Sequence, residues 1–293
     1  MRLLVTGGTG QLGGALAALA PAARVVRRPA FDFDRPETIA AAFHAAGPEL
    51  VVNAAAYTAV DAAEDDPAAA LRANRDGPAA LAALCAAAAI PLIHVSTDYV
   101  FDGAKGAAYV ETDPTAPQGE YGRSKLAGEQ AVLAGCPRAI VLRTSWVYAA
   151  TGRNFVRTML AAGQSRDHLR VVADQVGCPT AAVELARAIL GIVARIEQDG
   201  WQDRFAGVFH AAGAGSTSWH GFAEAIFATA ALHGRRRPTV EAIRTADWPT
   251  RAHRPADSRL DCARLASVFG QRLPPWQESL AGVVAEICAA PSV

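Results

Sequence analysis

Short, continuous apolar runs alternate along the first half of the chain with longer stretches whose apolar positions recur at helical spacing. The runs at residues 2–6, 24–27, 50–53, 92–96 and 139–144 have the length and character of parallel strands buried on both faces. Residues 12–19, 36–46, 67–88 and 121–133 predict the helices between them. A βαβαβ order of this kind predicts an α/β fold, a doubly wound parallel sheet with right-handed crossovers. A helix near 155–162, a strand near 169–172, a helix near 181–196 and a strand near 208–210 follow. From about residue 217 the pattern loosens, and loops rich in Pro and Arg at 235–238 and 248–255 separate short helical pieces. We therefore expect residues 1–150 to form the main domain, part of 151–215 to return to its sheet, and 216–293 to form a smaller C-terminal lobe.

Composition narrows the function classes. Half of the 293 residues are hydrophobic, enough for a large core, and 28 basic side chains balance 28 acidic ones. That balance gives no electrostatic reason to bind nucleic acid or an anionic membrane. No charge-free apolar stretch is long enough to span a bilayer. The N-terminal run meets glycine at once and lacks the features of a signal peptide. Five widely spaced cysteines with no Cys-x-x-Cys argue against a disulfide framework or a zinc site. A cytoplasmic protein is expected.

The first strand runs into Gly7-Gly-Thr9-Gly10-Gln11-Leu12-Gly13 at the start of a helix. Gly7 permits a tight turn, Gly10 lets backbone approach a pyrophosphate, and Gly13 lets the helix pack on the strand. Amides and dipole at such a helix start favour phosphate charge. A Rossmann-type dinucleotide site is expected, the alternative being an ordinary glycine-rich turn. The second strand ends in Arg27-Arg28, where an NAD site usually carries a carboxylate. Two guanidiniums suit a 2′-phosphate, so NADPH is expected in preference to NADH. Ala54, Ala55 and Ala56 after the third strand leave room for the cofactor to cross the strand ends.

Candidate chemistry lies in Ser96-Thr97-Asp98, at the carboxyl end of the fourth strand, and in Tyr121-Gly-Arg-Ser-Lys125 on the following helix. Ligands of open α/β sheets bind at that strand edge. Residues four apart share one helix face. A lysine ammonium beside a phenol is expected to lower its pKa. Tyr121 would then give a proton to an oxygen that gains charge as hydride arrives at carbon, with Thr97 orienting that oxygen and Lys125 on the nicotinamide ribose. The histidines show no ligand-like spacing, and His94, inside a strand, reads as a core residue.

The segments Asn53-Ala-Ala-Ala-Tyr57-Thr58-Ala-Val-Asp61-Ala-Ala-Glu64, Ser96-Thr97-Asp98-Tyr99-Val100-Phe101-Asp102-Gly103, Tyr121-Gly-x-Ser-Lys-Leu-Ala-Gly-Glu129, Arg143-Thr-Ser-Trp146-Val-Tyr148, Asn154-Phe155, Asp174-Gln175-x-Gly177-x-Pro179-Thr180 and Arg254-Pro-x-x-Ser-Arg259-Leu260 follow in collinear order over nearly the whole chain. Together they resemble the dTDP-4-dehydrorhamnose reductase family of extended short-chain dehydrogenases/reductases. The resemblance implies reduction of a 4-keto sugar nucleotide. It places Thr97, Asp98 and Tyr99 at the substrate, Tyr121 as proton donor and Lys125 on the cofactor, with Asp32 and Phe33 near the adenine. It also implies that Trp146 packs against the sugar, the alternative being a core tryptophan at a strand end. Asn154, Gln175 and Arg259 would reach the sugar nucleotide or serve as ordinary surface polar groups. Sugar-nucleotide dehydratases place an Asp-Glu pair after the threonine, whereas Tyr99 follows Asp98 here, which favours simple reduction. Some family members bridge a homodimer through magnesium held by glutamates. Glu184 and Glu286 fall near two such positions, but Gly13-Gly14-Ala15 stands where the third would be, so no metal is expected and the homodimer stays open. Two other readings remain: a 4-ketoreductase for a different deoxysugar nucleotide, and a non-catalytic binding protein like the regulatory subunit of methionine adenosyltransferase.

Overall fold

The computed structural model describes residues 1–289. Its strands in chain order are β1 (Leu3–Thr6), β2 (Arg24–Val25), β3 (Leu50–Asn53), β4 (Leu92–Thr97), β5 (Ala139–Thr144), β6 (Val147–Tyr148), β7 (His168–Val172), β8 (Val176–Gly177), β9 (Thr180–Ala181), β10 (Gly207–His210), β11 (Thr217–Ser218) and β12 (Thr239–Ile243). The helices are α1 (Gln11–Leu19), α2 (Pro36–Ala46), α3 (Val60–Asp65), α4 (Pro67–Leu71), α5 (Gly77–Ala87), α6 (Glu120–Gly135), α7 (Phe155–Ser165), α8 (Ala182–Asp199), α9 (Trp219–Ala231), α10 (Ala263–Phe269) and α11 (Trp276–Ala289).

Six strands form one parallel sheet in the order β10-β5-β4-β3-β1-β2. Alternate residues of a strand point to opposite faces, and this sheet buries both. Leu3, Val5, Leu50, Val52, Ile93, Ile140 and Leu142 meet α1, α8 and α10 on one side. Leu4, Val51, Leu92, Ala139 and Val141 meet α2, α5 and α6 on the other. This is the Rossmann-type, doubly wound arrangement expected from the continuous apolar runs. The strand order reverses at β1, so a crevice opens between the carboxyl ends of β1 and β3.

One expected helix comes out differently. Residues 67–88 do not form one helix: a wide π turn, Arg72–Asp76, separates α4 from α5. Pro78 has no N–H to donate, and the wide turn just before it absorbs the break in the hydrogen-bond ladder. The strand near 169–172 stays outside the main sheet and pairs with β12. Beyond residue 216 the chain is more ordered than the loosened pattern suggests. Phe222 and Ile226 of α9 pack with Val156 of α7 and with Trp276, Leu280 and Val283 of α11 in a separate apolar cluster. All five cysteines are free. Among the described residues no helix is long and apolar enough to cross a membrane.

Candidate active site

A cleft of about 880 Å³ runs along the carboxyl ends of β1, β3, β4 and β5. Its cofactor end is built by the glycine turn. Gly7 has φ +77° and lies so close to β3 that a Cβ there would stand 2.7 Å from the backbone of Ala54 and Ala55. A Cβ on Gly13 would come within 2.1 Å of the Gly7 carbonyl, so only glycine lets α1 start against this turn. The first turn of α1 holds no acidic residue and no side chain caps it. Its amides are therefore available to an anion. Thr9, Gly10, Gln11, Leu12, Ala54, Ala55 and Ala56 line the cleft, while Gly13 packs against the Gly7 turn.

Arg27, Arg28, Asp32 and Phe33 line the far end. The two arginines are not equivalent. Arg28 is held 2.9 Å from both Asp32 and Asp34, and Asp34 also faces Arg72 at 3.4 Å. No ion pair engages Arg27 among the described residues. Asp32 is thus spent on Arg28 and, through its amide, on Thr38. Phe33 is buried against Gly77, where a Cβ would meet its ring at 2.1 Å.

At the other end, Thr97 closes β4 and accepts a hydrogen bond from the Tyr99 amide at 3.2 Å. Its hydroxyl donates to Asp98 Oδ1 at 3.1 Å. Burial pushes the Asp98 carboxyl up to about 6, against the hydroxyls of Ser258, Thr97 and Ser145, which pull it down. Tyr121, in the first turn of α6, stands edge-on to Tyr99 at 5.6 Å. Burial raises its phenol to about 12, with Thr97 partly offsetting this. This corrects the expectation of a phenol lowered by lysine. The Lys125 ammonium is turned to the Val95 carbonyl at 2.7 Å, and burial brings it down to about 8. Thr97, Tyr121 and Lys125 all line the cleft. The hydroxyls of Ser96 and Thr144 line the same cleft, buried and without hydrogen-bond partners.

Trp146 also lines the cleft. It adopts φ +47° and stacks on Trp219 with centroids 3.5 Å apart. Gly177 makes room for it, since a Cβ there would strike the indole at 2.5 Å. Asn154, Gln175 and Arg259 are not among the cleft-lining residues. Asn154 caps α7 through the Arg157 amide and donates to Gln11 Oε1 at 2.9 Å. Gln175 donates to Thr245 at 3.0 Å. Arg259 grips Asp257 and the Gly106 carbonyl. Each polar group is held by a partner inside the protein on a segment far along the chain: Gln11 for Asn154, Thr245 for Gln175 and Gly106 for Arg259.

Sequence reasoning missed Trp219, Asn53 and Asn74. Asn53 accepts from Thr6 at 2.6 Å and donates to the buried His94 Nδ1 at 2.9 Å, tying β1, β3 and β4 together beneath the cleft. His94 Nε2 has no partner, so this core histidine is only half satisfied. Asn74, on the π turn, bonds both backbone groups of Tyr57 and the Ser124 hydroxyl. It joins the loop after β3 to α6. Nothing in the apolar periodicity marks these residues, because their partners are distant in sequence. Among the described residues no cluster of His, Cys, Asp and Glu is arranged to hold a metal; Glu184 pairs with Arg187.

The RmlD substrate binding domain family matches residues 1–288. The chain belongs to that family. It is 47% identical over 282 residues to a dTDP-4-dehydrorhamnose reductase of Sinorhizobium fredii, covering 95% of each chain. A solved dTDP-4-dehydrorhamnose reductase from Clostridium acetobutylicum superposes with TM-score 0.89 at 34% identity, over 97% of this chain and 99% of that one. The Bacillus anthracis reductase, solved in complex with NADP, gives TM-score 0.88 at 31% identity with the same coverage.

Proposed function

We propose that this protein reduces the 4-keto group of dTDP-4-dehydro-6-deoxy-L-mannose to give dTDP-L-rhamnose, using NADPH in preference to NADH. The observation that carries the reading is the meeting of Thr97, Tyr121 and Lys125 in the cleft that begins at the uncapped α1 amides. The uncapped amides, the close approach at Gly7, the unpaired Arg27 and the orphaned hydroxyls of Ser96 and Thr144 suit a dinucleotide with a 2′-phosphate. Bound there, a reduced nicotinamide supplies a hydride to the carbonyl carbon.

The protein's own groups complete the reaction. Thr97 orients the carbonyl oxygen, and Tyr121 donates the phenolic proton to it as negative charge develops. A phenol held up to about 12 is protonated at neutral pH, so the donor starts loaded. Lys125, one helical turn along the same face of α6, holds the nicotinamide ribose through its hydroxyls. The Trp146–Trp219 pair offers a flat apolar wall for a sugar ring, and Asp98 a hydrogen-bond acceptor for a sugar hydroxyl. Tyr99, where a dehydratase would carry a second acid, supplies no proton for loss of water. The cytoplasm is the expected site of action, and the oligomeric state stays open: light scattering on the purified protein decides between monomer and homodimer.

The deciding assay follows reduced-nicotinamide absorbance with dTDP-4-dehydro-L-rhamnose and NADPH, with NADH in parallel, and identifies the product. Formation of dTDP-L-rhamnose is expected. Tight NADPH binding with no turnover would overturn the substrate assignment.

A further inference from the structure

Lys125 is 1% exposed, yet its ammonium has a single protein acceptor, the Val95 carbonyl. A buried cation with two unused donors is costly unless an opposite charge stands near. Every element packed on this lysine bears on the balance. On α6 itself the neighbours one turn away are Tyr121 and Glu129. From β4 come His94 and, just beyond, Asp98. Burial and the lysine's own charge drive the His94 imidazole well below its usual range, so it stays neutral. The π turn presents the uncharged Asn74, while Arg75 pairs outward with Asp76 and Arg72 with Asp34. On α3, Glu64 accepts the Glu120 amide, and Asp61 and Asp65 are taken by Arg254 and Arg251. α5 offers the buried thiol of Cys85, which burial keeps protonated. Glu129 remains, and it raises the lysine against the effect of burial.

Glu129 is 2% exposed and does not touch the ammonium. Arg143 on β5, 4% exposed, grips both of its carboxylate oxygens, through Nε at 3.0 and 3.2 Å and through Nη2 at 2.7 Å. The guanidinium is braced in turn over the Phe101 ring, 5.0 Å from its centroid, and Phe101 stacks on Tyr109 at 4.1 Å. No Lys125–Glu129 ion pair forms within 4.0 Å, although the two residues are four apart on one helix. We infer that Glu129 and Arg143 are positioning residues for Lys125: the carboxylate keeps the ammonium charged from a distance, and the arginine restrains that carboxylate from closing on it. The ammonium therefore keeps its charge and two free donors together. A direct ion pair would preserve the charge and consume a donor, and removal of the carboxylate would preserve the donors and lose the charge.

The inference deepens the reductase reading and rests on its use of Lys125, but the test needs neither substrate nor NADPH. The chain has only two lysines, Lys105 and Lys125. Labelling lysine with carbon-13 at Cε gives two resonances, so Lys125 can be titrated directly by NMR, with the surface Lys105 signal as a control that neither substitution should move. The wild-type Lys125 midpoint is expected at about 8. Glu129→Gln should lower it by about one pH unit, and Arg143→Met, which frees the carboxylate to close, should raise it. Opposite shifts cannot come from a general loosening of the core. If either single variant fails to fold, Glu129→Leu/Arg143→Met replaces the pair with apolar side chains, a swap buried pairs often tolerate, and its midpoint should fall. An unmoved midpoint in Glu129→Gln or in the double variant, or a fall in Arg143→Met, overturns the inference. Turnover lost in all variants with midpoints moving as stated would leave the inference standing and count against the substrate reading alone.

Discussion

Replacing Arg27 by alanine should remove most of the preference for NADPH over NADH, and the same change at Arg28 should not. The reasoning starts from charge. Arg28, Asp32, Asp34 and Arg72 form a connected set of two cations and two anions with contacts of 2.9, 2.9 and 3.4 Å. Its charges cancel locally, and a 2′-phosphate reaching Arg28 would have to compete with two carboxylates already in place. Arg27 carries an uncompensated guanidinium on the same cleft rim. A charge-assisted bond to phosphate contributes about 1.5–3 kcal/mol. Arg27 is exposed, so solvent screening puts the effect near the lower end, about 1.5–2 kcal/mol, or roughly 10- to 30-fold in affinity. Calorimetry at fixed ionic strength with NADPH, NADH, 2′,5′-ADP and 5′-AMP measures it without turnover. Arg27→Ala should weaken NADPH and 2′,5′-ADP by that factor and leave NADH and 5′-AMP nearly unchanged. Asp34→Asn, which loosens the hold on Arg28, should strengthen the phosphorylated ligands. An unchanged NADPH/NADH ratio in Arg27→Ala, or an equal loss in Arg28→Ala, would refute the division of roles.

Three further outcomes are expected. Tyr121→Phe should lower kcat by about 10²- to 10⁴-fold, the usual range for a lost proton donor, with NADPH affinity retained; near-normal turnover would remove Tyr121 from the mechanism. Gly13→Ala should cost about 3 kcal/mol or more, since its Cβ would lie 2.1 Å from backbone that cannot yield, whereas Gly14→Ala, with nothing within 4 Å, should stabilise α1 by up to about 1 kcal/mol; thermal unfolding separates the two, and equal effects would contradict the packing. Asp98 holds its proton more tightly in the folded chain than in the unfolded one, so stability falls as pH rises through the window from its ordinary value to about 6. Asp98→Asn should therefore raise Tm more at about pH 8 than at about pH 4, and an equal or reversed difference would show that burial does not strain this carboxylate.

The sheet was legible because its strands are buried on both faces and read as unbroken apolar runs. Residues 50–53 and 139–144 emerge with the bounds that the pattern implied. The glycine turn was legible for a different reason. Three glycines at that spacing after a strand answer three separate steric demands, and the structure supplies backbone atoms at 2.7 and 2.1 Å that make two of them explicit. The break at Arg72–Asp76 was not visible, since alanine-rich sequence satisfies the helical pattern on either side of it. The edge of β2 was overextended for a related reason: Val26 still bonds to Val5 and Gly8, but the chain then leaves the sheet toward Asp32.

Polar residues divide along the same line. Thr97, Tyr121 and Lys125 could be placed from sequence because their spacing is local, a strand end and one helical turn. Asn154, Gln175 and Arg259 were left between ligand contacts and ordinary polar groups, because polar side chains in collinear motifs allow either, and the structure gives each a partner inside the protein. Glu129 shows the converse. Its place in the Tyr121-to-Glu129 segment carries no obvious chemistry, and its influence on Lys125 becomes visible only when β5 brings Arg143 against it at 2.7 Å. A site of this type is written twice in the chain: once in short spacings that name the candidate groups, and once in long-range contacts around them. Only the first is readable before the sheet has assembled.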